Sequence, residues 1–182
     1  MPDPGAAKES HRRVFFAIWP DEKMRSALTR ATRSVVRRCG GRTISPSNLH
    51  VTLAFLGSMT ETFLMRVRQI PPFASPGFEL VFDRLGFWSG PRVLWTSPSQ
   101  VPTTLIELES VLWNRLAGIG FERQRSPYCP HVTLARKAKF IEESILPVSW
   151  PVSELALVES KLDGRYPTYE VLEAWSFGTA HE

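Results

Sequence analysis

The word His-Val-Thr-Leu-Ala occurs twice in this chain, beginning at His50 and again at His131, each time directly after a proline-containing loop. A coincidental five-residue repeat is improbable in 182 residues, so the duplication constrains both fold and chemistry. Its apolar, β-branched character reads as a buried strand, with Ser45-Pro46-Ser47-Asn48 and Ser126-Pro127-Tyr128-Cys129-Pro130 as the turns that lead in. Side chains alternate along a strand, so His50 and Thr52 share one face, as do His131 and Thr133, while Val51, Leu53, Val132 and Leu134 seat the opposite faces in a core. A buried strand explains those apolar positions but gives no reason for histidine and threonine to recur at the same offsets.

The segments around the repeat alternate in period. An apolar run Val14 to Trp19 precedes Pro20-Asp21-Glu22, and from Asp21 to Arg38 the apolar positions Met24, Leu28, Ala31 and Val35 recur at helical spacing before Gly40-Gly41. A second helix is expected from Thr60, as cap, to Ile70, and a third from Pro102 to Leu116 on the stripe Leu105, Leu108, Leu112, Leu116. Phe78 to Leu85 and Arg92 to Thr96 suggest an antiparallel hairpin through Trp88-Ser89-Gly90-Pro91. Glu154 to Leu162 and Tyr169 to Phe177 suggest a second pair around Asp163-Gly164-Arg165. Strands outnumber helices and neighbours are antiparallel, which makes the class α+β.

The length suits one domain, expected over residues 12–182 behind a disordered leader of residues 1–11. The leader has no apolar run that would serve as a signal or membrane span. Cys39 and Cys129 are far apart and lack metal-type spacing, which disfavours a disulfide framework or zinc site and suits a reducing cytoplasm. The formal net charge of +4 permits a polyanionic partner, and with 17 arginines against 5 lysines the basic residues favour the planar fork that matches phosphate oxygens. The arginines of the first helix read as a solvated face.

If the two halves are related by a pseudo-twofold axis, the two strands can face each other across a cleft and bring two imidazoles and two hydroxyls together. Such a site suits in-line displacement at phosphorus. One neutral histidine takes a proton from water while the other, as imidazolium, protonates the departing ribose oxygen, and the threonine hydroxyls bond the nonbridging oxygens. A metal is not required by this division of labour, and no His-Glu-x-x-His or comparable ligand spacing is present. Cys129 as a nucleophile is weaker, because residues adjacent in an extended segment point apart. His11 and His181 lie near the ends and read as bystanders, and the six tryptophans read mainly as core, with a base-stacking platform possible among them. A histidine-based esterase lacks the Gly-x-Ser-x-Gly elbow.

With these residues in view, the chain resembles the 2H phosphoesterase superfamily, and within it the RNA 2',3'-cyclic phosphodiesterase group of LigT- or ThpR-like proteins. The likeness rests on Arg13 to Ile18, Asn48 to Gly57, Arg92 to Trp95, Pro130 to Arg136, and Tyr169 to Leu172 before Trp175. It implies a bilobal α+β fold of antiparallel sheets flanking a central cleft with helices outside. It also implies metal-independent hydrolysis of RNA 2',3'-cyclic phosphodiester ends to 2'-phosphomonoesters, without a cofactor. His50 and His131 would be the acid and base, Thr52 and Thr133 the phosphate-holding pair, and Arg136 and Tyr128 further substrate contacts from the motif's end and the preceding loop. In an ideal strand Arg136 lies one face over from Thr133, so its guanidinium would have to curl round the strand end. Arg123 and Arg125 lie farther upstream of the motif than the arginine that members often carry. The expected partner is RNA with a cyclic phosphate end or a related cyclic nucleotide, handled by a soluble cytoplasmic monomer. Alternatives on the same site are a noncatalytic RNA-end-binding module, 2'-5' RNA ligation, or a small cyclic nucleotide phosphodiesterase.

Overall fold

A computed structural model describes residues 11–70, 75–123, 127–162, 164 and 166–177. The described chain runs β1 (His11–Ile18), α1 (Glu22–Arg38), β2 (Arg42–Thr43), β3 (Val51–Thr60), α2 (Glu61–Arg68), β4 (Phe78–Trp88), β5 (Val93–Pro98), α3 (Thr103–Ala117), β6 (Val132–Arg136), β7 (Val148–Val152), β8 (Glu154–Lys161) and β9 (Thr168–Ser176). His11, assigned by the sequence to the leader, instead pairs with Thr60, and residues 1–10 and His181 lie outside the described residues.

Among the described residues, the strands join one antiparallel sheet in the order β7-β4-β5-β6-β3-β1-β8-β9, with β2 added beside β6. The two halves of the sheet meet at the repeat itself, through the pairing of Val51 in β3 with Val132 in β6. Each half builds its motif strand in the same way, from a strand, a helix and an antiparallel return: β1-α1-β3 in one and β5-α3-β6 in the other. The registers match residue for residue. Ile18 pairs with Val51 and Ala17 with Thr52, just as Thr96 pairs with Val132 and Trp95 with Thr133.

The helices form where capping and stripe agree. The Asp21 carboxylate accepts from the Met24 N–H at 2.7 Å and starts α1, and the Thr60 hydroxyl accepts from the Phe63 N–H and starts α2. Leu105, Leu108, Leu112 and Leu116 are all buried, as the stripe on α3 requires. Packing is exchanged between halves: α1 lies against β6 and β7, and α3 against β3. The two lobes therefore share one apolar core, in which Val51, Leu53, Val132 and Leu134 sit beside residues of α1 and α3. Two strands escaped the sequence reading. β2 is only two residues long, and β7 carries Pro151, which removes a ladder donor and is tolerated because β7 is at the sheet edge.

Candidate active site

His50 and His131 each sit one residue before a strand, not within it as the repeat suggested, and the difference fixes their rings. Nδ1 of His50 lies 2.7 Å from the Asn48 carbonyl, and Nδ1 of His131 lies 2.8 Å from the Cys129 carbonyl. A carbonyl can only accept, so Nδ1 carries the proton in both rings and Nε2 is left as the basic nitrogen. The same backbone device thus sets the same tautomer in both halves. The carbonyl of Cys129, rather than its thiol, is what the second histidine uses; that thiol is free.

Both motif strands then break register at the same place. Phe16 pairs with Ala54 while Ala17 pairs with Thr52, and Leu94 pairs with Ala135 while Trp95 pairs with Thr133, so Leu53 and Leu134 are the extra residues of two equivalent β-bulges. The bulge resets the alternation. Leu53 and Ala54 are both buried, as are Leu134 and Ala135, and the next residues, Phe55 and Arg136, return to the face of the histidine and threonine. Arg136 therefore does not have to curl round the strand end, which corrects the expectation from an ideal strand. The pseudo-twofold relation breaks at this position, where one half offers a guanidinium and the other a phenyl ring.

His50, Thr52, His131, Thr133 and Arg136 line one cavity of about 880 Å³, together with Arg13, Arg42 and Phe55. An adjoining cavity of about 460 Å³ shares Thr52, Phe55 and His131 and is completed by Trp88, Glu109, Trp113, Arg123 and Tyr128. Tyr128, expected at the substrate, lines this second space, and its hydroxyl donates to the Thr52 carbonyl at 3.2 Å. It ties the loop before the second motif to the strand of the first. Burial pushes its phenol well above the usual range, so it stays a donor. Arg123 lies against buried Glu109 at 2.6 Å, while Arg125 lies outside the described residues. Among the described residues, no cluster of three or more His, Cys, Asp or Glu side chains suited to a metal ion occurs, and no helix is long and apolar enough to cross a membrane.

The tryptophans that sequence could not place divide between core and site. Trp19 stacks on the His50 ring at 5.4 Å between centroids, where Phe15 at 4.9 Å and Tyr169 at 5.3 Å complete an aromatic surround. Trp88 meets His131 edge-on at 4.6 Å, with Trp95 at 6.3 Å. Desolvation in these surrounds lowers both imidazoles, His50 to about 4 from an ordinary 6.5, with the Asn48 hydrogen bond opposing and the charges of His131 and Arg136 adding to the depression. Trp95 in turn rests on Gly86, where an added Cβ would fall inside the indole. Gly86→Ala is expected to destabilise the protein by about 1–3 kcal/mol through overpacking, read as a lower denaturant midpoint with little change in slope.

The fold is that of the LigT-like phosphoesterases. The family model for the 2'-5' RNA ligase superfamily matches residues 19–164. The RNA 2',3'-cyclic phosphodiesterase of Escherichia coli is 31% identical over 177 residues, covering 91% of this chain and 96% of that protein. That of Thermus thermophilus is 29% identical over 189 residues, covering 93% and 92%. The crystal structure of E. coli LigT complexed with 3'-AMP superposes with a TM-score of 0.82 at 30% identity, covering 93% of this chain and all of that one. This chain belongs to the 2'-5' RNA ligase superfamily.

Proposed function

We propose that this protein hydrolyses 2',3'-cyclic phosphodiester ends of RNA to 2'-phosphomonoesters, with His50 and His131 as the acid and base pair. The observation that carries the reading is the twofold setting of the rings: two Nε2 atoms, freed by identical backbone bonds, on the walls of one cavity beside two threonines and an arginine. The names of the relatives support the same substrate.

In the reaction, water attacks phosphorus opposite the 3'-oxygen. Its proton passes to one neutral imidazole as the P–O3' bond breaks, and the other imidazole, protonated, gives its proton to O3'. The product holds a 2'-phosphate and a free 3'-hydroxyl, and the two histidines have exchanged protonation states. Thr52 and Thr133 donate to the nonbridging oxygens, and the Arg136 guanidinium balances charge that gathers there. Both motifs come from one chain, so a monomer completes the site, and the two free thiols accord with work in the cytoplasm.

The expected outcome with adenosine 2',3'-cyclic phosphate is formation of 2'-AMP at an unchanged rate in excess EDTA. Inhibition by chelation would contradict the metal-free mechanism, and RNA binding without turnover would contradict catalysis itself. The pH dependence has a defined sign. In the free protein both imidazoles are held below 6.5, so at pH 8 the acid is almost entirely deprotonated, and each unit of acidification towards 6.5 raises its active fraction about tenfold. Values of kcat/KM should therefore rise as pH falls from 8 and peak on the acid side of 6.5. The anionic phosphate favours imidazolium, so the profile of kcat should lie at higher pH than that of kcat/KM; a kcat/KM optimum above pH 6.5 would contradict this account.

A further inference from the structure

Arg42 and Arg136 are cross-strand partners, one on β2 and one on β6, and both line the larger cavity. Directly opposed like charges on one sheet face destabilise a ladder. No carboxylate is among the described residues lining that cavity, and Arg13 adds a third guanidinium. The arginines are instead laid on aromatic rings, Arg42 over Tyr166 at 4.5 Å and Arg13 over Phe55 at 4.8 Å. A stacked guanidinium keeps its N–H edge available for an anion.

The cavity is also larger than one reacting phosphate requires. Its lining runs from the two histidines to Arg136, to Arg42 across the strand pair, and to Tyr166 beneath Arg42. We propose that Arg42 binds the phosphodiester that joins the terminal nucleotide to its 5' neighbour, while Arg136 stays on the reacting phosphate. The site then reads a strand end, and oligonucleotides with a cyclic phosphate are preferred over the free nucleoside cyclic phosphate. Phosphate recognition by arginine is sequence-tolerant, so the preference concerns length and not base identity.

This rests on the proposed function and is tested alongside it. The full-length protein is assayed on adenosine 2',3'-cyclic phosphate and on a trinucleotide ending in the same group, over a range of salt. The trinucleotide should show a kcat/KM at least about tenfold higher, the scale of one charge-assisted hydrogen bond. Its log kcat/KM should fall more steeply with log salt, by about 0.7 for each additional phosphate held. Arg42→Ala should reduce the trinucleotide's advantage and remove about one such increment of slope, and Arg42→Lys should restore the slope while recovering only part of the advantage. Equal kcat/KM for the two substrates, or an Arg42→Ala loss shared equally between them, would overturn the inference and leave the proposed function standing. No turnover of either substrate by the unaltered protein would overturn both.

Discussion

His50→Ala and His131→Ala are each expected to lower kcat on a nucleoside 2',3'-cyclic phosphate by about 10²- to 10⁴-fold, measured as steady-state hydrolysis with the fold checked by circular dichroism. The magnitude follows from losing one proton transfer in a step that needs two. The effects should not multiply, because a base without its acid has little left to contribute, so the double variant should be little slower than the worse single one. His50→Gln separates chemistry from packing: it refills much of the space between Phe15, Trp19 and Tyr169 but supplies no group that titrates near neutrality. Recovery of stability without recovery of rate would place the loss in proton transfer. Retention of normal turnover in either alanine variant would remove the basis of the mechanism.

The second large effect is expected at the threonines. Thr52→Val and Thr133→Val keep the branched shape of each side chain but delete the donor that the proposed mechanism assigns to the phosphate. Each should reduce kcat by about 10²- to 10³-fold, as for loss of one donor to charge developing in a transition state. Serine at either position should restore most of the rate. If instead KM rose with kcat unchanged, the hydroxyls would be holding the bound substrate rather than stabilising its transition state.

The repeated pentapeptide made the heart of this fold legible because two independent periodicities agreed in it. Valine and leucine marked the buried face, and histidine with threonine marked the open one. The helices were legible for the same reason, since the Leu105 to Leu116 stripe and the Asp21 and Thr60 caps each point to one local structure. What alternation could not show was its own interruption. The bulges at Leu53 and Leu134 bring Phe55 and Arg136 to the cavity, and the only trace of them in the sequence is the consecutive apolar pair Leu-Ala in each copy. The position of each histidine just before its strand was likewise hidden, because the Nδ1 contact is made with a backbone carbonyl, which carries no residue signature. Arg42 and Trp19 were beyond reach for a different reason: β2 is too short to show a pattern, and Trp19 becomes part of the site only when β1 lies beside β3.

The two halves are symmetric in register, in bulge and in histidine tautomer, but not in what surrounds the rings. His50 lies among Phe15, Trp19 and Tyr169, whereas His131 meets Trp88 and Trp95 and opens towards the second cavity. On the proposed mechanism, duplication supplied two equivalent proton-transfer groups, and divergence of the flanking residues made the two ends of the cleft different.

The mechanism requires that one phosphate be worked on by both imidazoles at once, and a crystal structure of the protein with 2'-AMP would reveal whether it is. Expected is one phosphate group with Nε2 of His50 and Nε2 of His131 each within about 3 Å of its oxygens, and with the Thr52 and Thr133 hydroxyls on the nonbridging pair. A phosphate held by only one histidine, or lying beside Arg42 with both imidazoles unengaged, would contradict the mechanism.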